Sequence, residues 1–204
     1  MPTTRGLERL IFFTDAVVAI AITLLILPLV DSVSEAENAT ATAEQFFRTE
    51  GSQVVAFLIS FAVIARLWVA HHALFEHIAS YNGLVILLSL AWAFTIVVLP
   101  LPTAMSAEFD SEALTLGFYV GTMLASSLTL TLLAVTIRGD RTLEASANRI
   151  PPSAVQGSVI TTVLFAVALV VGVLVPGVGY WGLLVLLLSG PIQIVVDRRA
   201  GRTR

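Results

Sequence analysis

Residues 10–30, LIFFTDAVVAIAITLLILPLV, constrain the fold more than any other stretch. They form an almost unbroken apolar run, and at ~1.5 Å per helical residue about 20 residues cross the ~30 Å hydrocarbon layer of a bilayer. The run carries Asp15 near its start, and a carboxylate at the centre of a membrane costs roughly 2.5–3.5 kcal/mol unless it finds a partner or an interface. On a helical wheel Phe13, Ala16, Ile20, Thr23, Leu24, Leu27 and Asp31 share one stripe, while Asp15 points about 140° away from Ile20. The helix therefore has an acidic side that needs a partner and a branched aliphatic side with one hydroxyl.

Composition generalises the point. Hydrophobic residues make up 57% of the 204 and charged residues 12%, with mean hydropathy +0.92, well above the ~45–50% apolar content of soluble domains. Little chain is left over for a soluble domain, so a single membrane domain is expected over residues 1–204. Cysteine is absent, which excludes disulfides, thiolate metal sites and a cysteine nucleophile. The N-terminal run is longer than a signal-peptide core and has no small-x-small cleavage site before the acidic loop, so it is expected to be retained.

Six apolar segments are expected, over about 10–30, 54–70, 84–103, 114–137, 153–175 and 178–196. Residues 31–52 read as a polar, acidic connection and HHALFEHIASYN as a short turn holding all three histidines. Pro151 and Pro152 mark the start of the fifth helix, and Thr122, Ser126, Ser127, Thr129 and Thr131 on the fourth suit close packing in lipid. An even number of spans puts both termini on one side. That side collects Arg5, Arg9, Arg138, Arg141, Arg149 and the C-terminal arginines, with Arg66 near it; the other holds Arg48 and eight acids. The positive-inside rule then places both termini in the cytoplasm, in a cell membrane. Asp15 and the stretch from Arg66 to His72 come to similar depth, which makes Arg66, Trp68, His71 and His72 candidate partners for it.

Arg9, Phe13, Thr14 and Asp15, in the pattern Arg-x-x-x-Phe-Ser/Thr-Asp, followed by AVVAIAITLLIL, resemble the first helix of the transmembrane protein 175 family of potassium channels, in its prokaryotic branch. Ser60-Phe61, Trp68-x-x-His71-His72, Phe75, Asn82 and Leu99-Pro100-Leu101-Pro102 extend the resemblance over roughly the first half of the chain. Thr14 stands where Ser is usual, which keeps the hydroxyl. The resemblance implies structural and assembly roles for Arg9, Phe13, Thr14, Asp15, Trp68 and His71, and the same motif block holds Arg66, His72 and Asn82.

By spacing alone Ile20, Leu24 and Leu27 are a packing ridge. The resemblance gives them a different part: stacked hydrophobic rings lining a central pore, narrowest at Ile20, with Thr23 as the adjoining polar group. An aliphatic ring gates by sterics and dewetting, and no TVGYG-like carbonyl filter is present. Any preference for potassium over other monovalent cations must come from its weaker hydration. Asp31 and the acidic loops would draw cations to the outer mouth. Several first helices are needed to close a ring, and the resemblance implies a homotetramer. Arg9 also falls on the pore stripe if the helix is regular, which requires a bend or masking by Glu8.

No cofactor, resident metal or nucleic-acid partner is expected. His72 and Glu76 are co-facial at i, i+4, but His77 lies about 140° away, and neither zinc-binding His-Glu pattern occurs. The reading is an all-α, six-helix potassium-preferring leak channel, not an enzyme. The alternative is a proton-coupled or other secondary transporter using Asp15 and the histidines as a relay.

Overall fold

A computed structural model describes residues 3–38, 42–108 and 113–174. Among the described residues eight helices follow one another: α1 (Thr4–Leu24), α2 (Leu27–Asn38), α3 (Ala43–Thr49), α4 (Gly51–Phe75), α5 (Gly83–Val98), α6 (Pro100–Glu108), α7 (Ala113–Gly139) and α8 (Pro152–Leu174). Among the described residues, five helical stretches are long and apolar enough to cross a membrane: Thr4–Ser34, Gly51–Phe75, Gly83–Ser106, Ala113–Gly139 and Pro152–Leu174. The sixth expected segment, 178–196, lies outside the described residues.

Proline sets the breaks. Pro28 has no N–H to give the Leu24 carbonyl, so α1 stops there, and the ladder resumes as Val30 N–H bonds to the Ile26 carbonyl at 3.1 Å. Pro102 withdraws the donor for Val98 in the same way, and α5 ends at that residue. Thr3 caps α1 by accepting from Gly6 N–H at 3.2 Å, and Asn82 caps α5 by accepting from Val85 N–H at 2.9 Å. Pro152 opens α8, at the first helical position where the missing N–H costs nothing.

Two expectations are corrected. The acidic connection after residue 30 is largely helical, as α2 and α3, with Thr42 and Gln45 forming a capping box at the start of α3. The second span does not end at residue 70: α4 continues to Phe75, so His71 and His72 are helical residues, not turn residues. The apolar run ends earlier than the helix because nothing in Ala-His-His-Ala-Leu-Phe breaks a helix, and its polar members bury or stack along the same faces.

α7 is the most enclosed span. It packs along α8 and across α5, while α1 rests against α5 and α4. Ile64, Trp92, Ile96, Leu99, Met123, Leu133 and Ile137 are fully buried between these helices. Hydroxyls join them: Ser127 Oγ lies 2.8 Å from Thr162 Oγ1, and Thr131 Oγ1 lies 2.7 Å from Ser158 Oγ and 2.9 Å from Thr162 Oγ1. Lipid gives apolar side chains no reason to prefer protein, so small residues and such bonds hold the helices together. At one end the α4–α5 and α7–α8 loops are knitted by backbone bonds, Ala79 N–H to the Leu143 carbonyl and Ala145 N–H to the His77 carbonyl, both 2.8 Å.

Candidate functional site

The two sides of the first helix meet different surroundings. Thr14 is fully buried and its hydroxyl turns back to the Ile11 carbonyl at 2.8 Å. Beside it, half-buried Asp15 accepts a 2.8 Å hydrogen bond from the indole Nε1–H of Trp68 on α4, within the short range of charge-assisted bonds. His72 stacks on that indole with centroids 5.4 Å apart, and its Nε2 stands 3.7 Å from Glu76. The contact ties α1 to α4 through the carboxylate that the bilayer would otherwise penalise.

Of the four candidate partners for Asp15, Arg66 and His71 are placed elsewhere. Arg66 is about 200° around the helix from Trp68 and lines a cavity between α4, α7 and α8. His71 is fully buried between rings, 4.0 Å from Trp92 at an interplanar angle of 9° and 4.3 Å from Phe75, and among the described residues neither of its nitrogens has a hydrogen-bond partner. Wheel arithmetic says that Arg66 and Trp68 cannot both face Asp15, though not which of them does; Trp92, the other wall of the histidine slot, carried no signal in an apolar helix. Also missed was a buried trio at the far end. Ser60 Oγ lies 2.9 Å from Thr103 Oγ1 and 2.7 Å from Tyr119 Oη, joining α4, α6 and α7. Thr103 already donates to the Leu99 carbonyl at 2.8 Å, so Ser60 donates to Thr103 and Tyr119 donates to Ser60.

The opposite side of the helix is open. Phe13, Ala16, Ile20, Thr23, Leu24, Leu27 and Asp31 are all exposed, Ile20 at 61%. Thr23 donates its hydroxyl to the Ile20 carbonyl at 2.7 Å, leaving its oxygen lone pairs outward. Ile20 and Leu24 lie before the Pro28-induced break and Leu27 just after it. Arg9 is exposed on α1, which runs unbroken from Thr4 to Leu24, so no bend removes it from the stripe, and among the described residues it has no ion pair.

The family model described as endosomal/lysosomal potassium channel TMEM175 matches residues 9–100. A potassium channel of Chamaesiphon minutus is 30% identical over 161 residues, covering 72% of this chain and 74% of the relative. The chain belongs to the TMEM175 family. It is a multi-pass membrane protein with bacterial relatives. A potassium channel of Streptomyces collinus is 36% identical over 103 residues, and the match spans 49% of this chain and 47% of that one. A zebrafish (Danio rerio) TMEM175 named as an endosomal/lysosomal proton channel is 27% identical over 113 residues, 55% of this chain and 21% of the relative. The chain thus spans about half of the Streptomyces channel and a fifth of the vertebrate one. The crystal structure of the Chamaesiphon TMEM175 homologue, a lysosomal potassium-selective channel homologue by its description, superposes with a TM-score of 0.66 at 22% identity, over 98% of this chain and all of that one, and so shares the fold.

Proposed function

We propose that this protein is a potassium-preferring cation leak channel of the cell membrane, a homotetramer of six-helix subunits with both termini in the cytoplasm. α1 from each subunit surrounds the axis. Ile20, Leu24 and Leu27 form hydrophobic rings spanning about 10 Å, and Thr23 and Asp31 supply the polar group beside the constriction and the acidic mouth. The carrying observation is the division of α1: its Asp15 side is held to Trp68, while the aliphatic stripe about 140° away is left uncovered within the subunit. The names of the bacterial relatives support the choice of potassium.

Conduction follows from ring geometry. A ring of branched aliphatics admits an ion only when wide enough to stay wet, and otherwise dewets and closes. Partial dehydration at the ring favours the more weakly hydrated cation, a modest preference. Arg9, also exposed, would stand at the cytoplasmic entrance, where its charge opposes cation entry and is spread over solvent. Against a proton relay through Asp15 and the histidines stand two contacts: the Asp15–Trp68 bond, and the enclosure of His71 between Phe75 and Trp92.

The test is potassium and sodium flux from proteoliposomes for wild type and Ile20→Ala. Passive flux should reverse at the Nernst potential, and the variant should conduct more and discriminate less. Unchanged conductance and selectivity in the variant would remove Ile20 from the constriction.

A further inference from the structure

The break between α1 and α2 leaves one backbone group to be accounted for. Pro28 has no N–H, so the Leu24 carbonyl lacks its helical donor, and α1 ends at that residue. The break falls inside the apolar run, about 6 Å along the axis from Ile20, where lipid offers no substitute. Backbone groups freed by proline in a membrane span are satisfied by a neighbouring helix, by a Ser or Thr hydroxyl, or by water in a cavity that the span lines.

The first two routes lead elsewhere. The hydroxyls nearest in the chain are engaged: Thr23 donates to the Ile20 carbonyl at 2.7 Å, and Ser32 Oγ sits 2.9 Å from the Pro28 carbonyl and 3.0 Å from Gln53 Oε1. Among the described residues no neighbouring helix covers the spot, since Leu24 is 40% exposed and Thr23, Ile26 and Leu27 around it are exposed as well. The break before Pro102 is the contrasting case. Leu99 and Thr103 beside it are buried, and the hydroxyls of Ser60, Thr103 and Tyr119 meet there, so that break is enclosed by protein.

Water is the partner left for Leu24. A helical carbonyl points toward the C-terminal end of its helix, so this one opens toward Leu27. It belongs to the backbone, behind the leucine side chains, and reaches an ion through water and not by direct contact.

We infer that the Leu24 main-chain carbonyl is a water ligand in the conduction path, and that its copies around the axis hold a hydrated monovalent cation between the Leu24 and Leu27 rings. The inference rests on the channel reading and deepens it. A polar ring at this level divides the ~10 Å hydrophobic stretch, and a shorter dry stretch wets more readily. Pro28 is thereby a determinant of conduction, although its own side chain carries no polar atom.

Returning the N–H tests it. Pro28→Ala gives the Leu24 carbonyl a helical donor; lactic acid at the same position, placed by semisynthesis, has the same methyl group on an ester and no N–H. Passive potassium flux is measured in proteoliposomes for wild type and both variants, with circular dichroism as the check on folding. One hydrogen bond made or withheld is worth about fivefold in an equilibrium. Pro28→Ala should therefore conduct at least about fivefold less than wild type, while the ester keeps wild-type flux. Wild-type flux in Pro28→Ala overturns the inference and leaves the channel reading standing. An equal fall in the alanine and ester forms also overturns it, because the proline ring or its bend then sets conduction. Absence of flux in wild type removes the channel reading and this inference together.

Discussion

Trp68→Phe isolates one atom pair. Phenylalanine keeps a ring to stack on His72 and removes only the indole N–H that reaches Asp15 at 2.8 Å. A hydrogen bond to a charged group is worth about 1.5–3 kcal/mol in soluble proteins. Inside membranes, double-mutant cycles average about 0.6 kcal/mol with a maximum near 1.7, because the unfolded chain also finds partners. Asp15 is only half-buried, so water screens part of the gain, while the ionic character and short distance push the other way. The coupling between Trp68 and Asp15 should therefore be about 1 kcal/mol. The measurement is a double-mutant cycle with Asp15→Ala, each variant unfolded by denaturing detergent and followed by circular dichroism. A coupling inside the ~0.3–0.5 kcal/mol scatter of independent sites refutes the view that this bond anchors α1.

Gly6 faces the Tyr81 hydroxyl so closely that a Cβ would collide with it; Gly6→Ala should destabilise by about 1–3 kcal/mol and Tyr81→Phe should relieve part of this, read from thermal unfolding in detergent. Asn82→Ala removes the α5 cap and should cost about 1 kcal/mol in the same assay, whereas Asn82→Ser should cost little. The Thr142 hydroxyl and then its backbone N–H, at 2.7 and 3.0 Å, hold Asp140 below the usual carboxylate pKa. Thr142→Val should raise that pKa toward its ordinary value in a carboxyl-carbon NMR titration. Because the folded pKa is depressed, the stability this group contributes is complete above the unfolded pKa and is lost as pH falls through the folded one.

Legibility tracked the kind of signal. The apolar spans were readable because length and hydropathy are local properties, and Pro152 at the start of α8 is a local rule as well. The continuation of α4 through His71 was not, since polar residues on a helix look like a turn until their partners are known. Asp15 shows the intermediate case. Charge cost and chain topology narrowed its partner to a seven-residue stretch, but choosing Trp68 over Arg66 needed the rotation of α4, which packing sets. The Ser60–Thr103–Tyr119 trio and the His71–Trp92 stack join residues remote in sequence, and one sequence carries no record of such pairs.

The knitted loops impose an order in time. Chains are made from the N-terminus, and the amides of Ala79 and Ser80 find their acceptor only at Leu143, on the far side of two more spans. Local bonds such as His77 N–H to the Leu74 carbonyl can form at once, but until Leu143 has been made the two amides lack the acceptor they hold in the fold. The stretch that the family model matches thus closes its last backbone bonds only with a segment made after it.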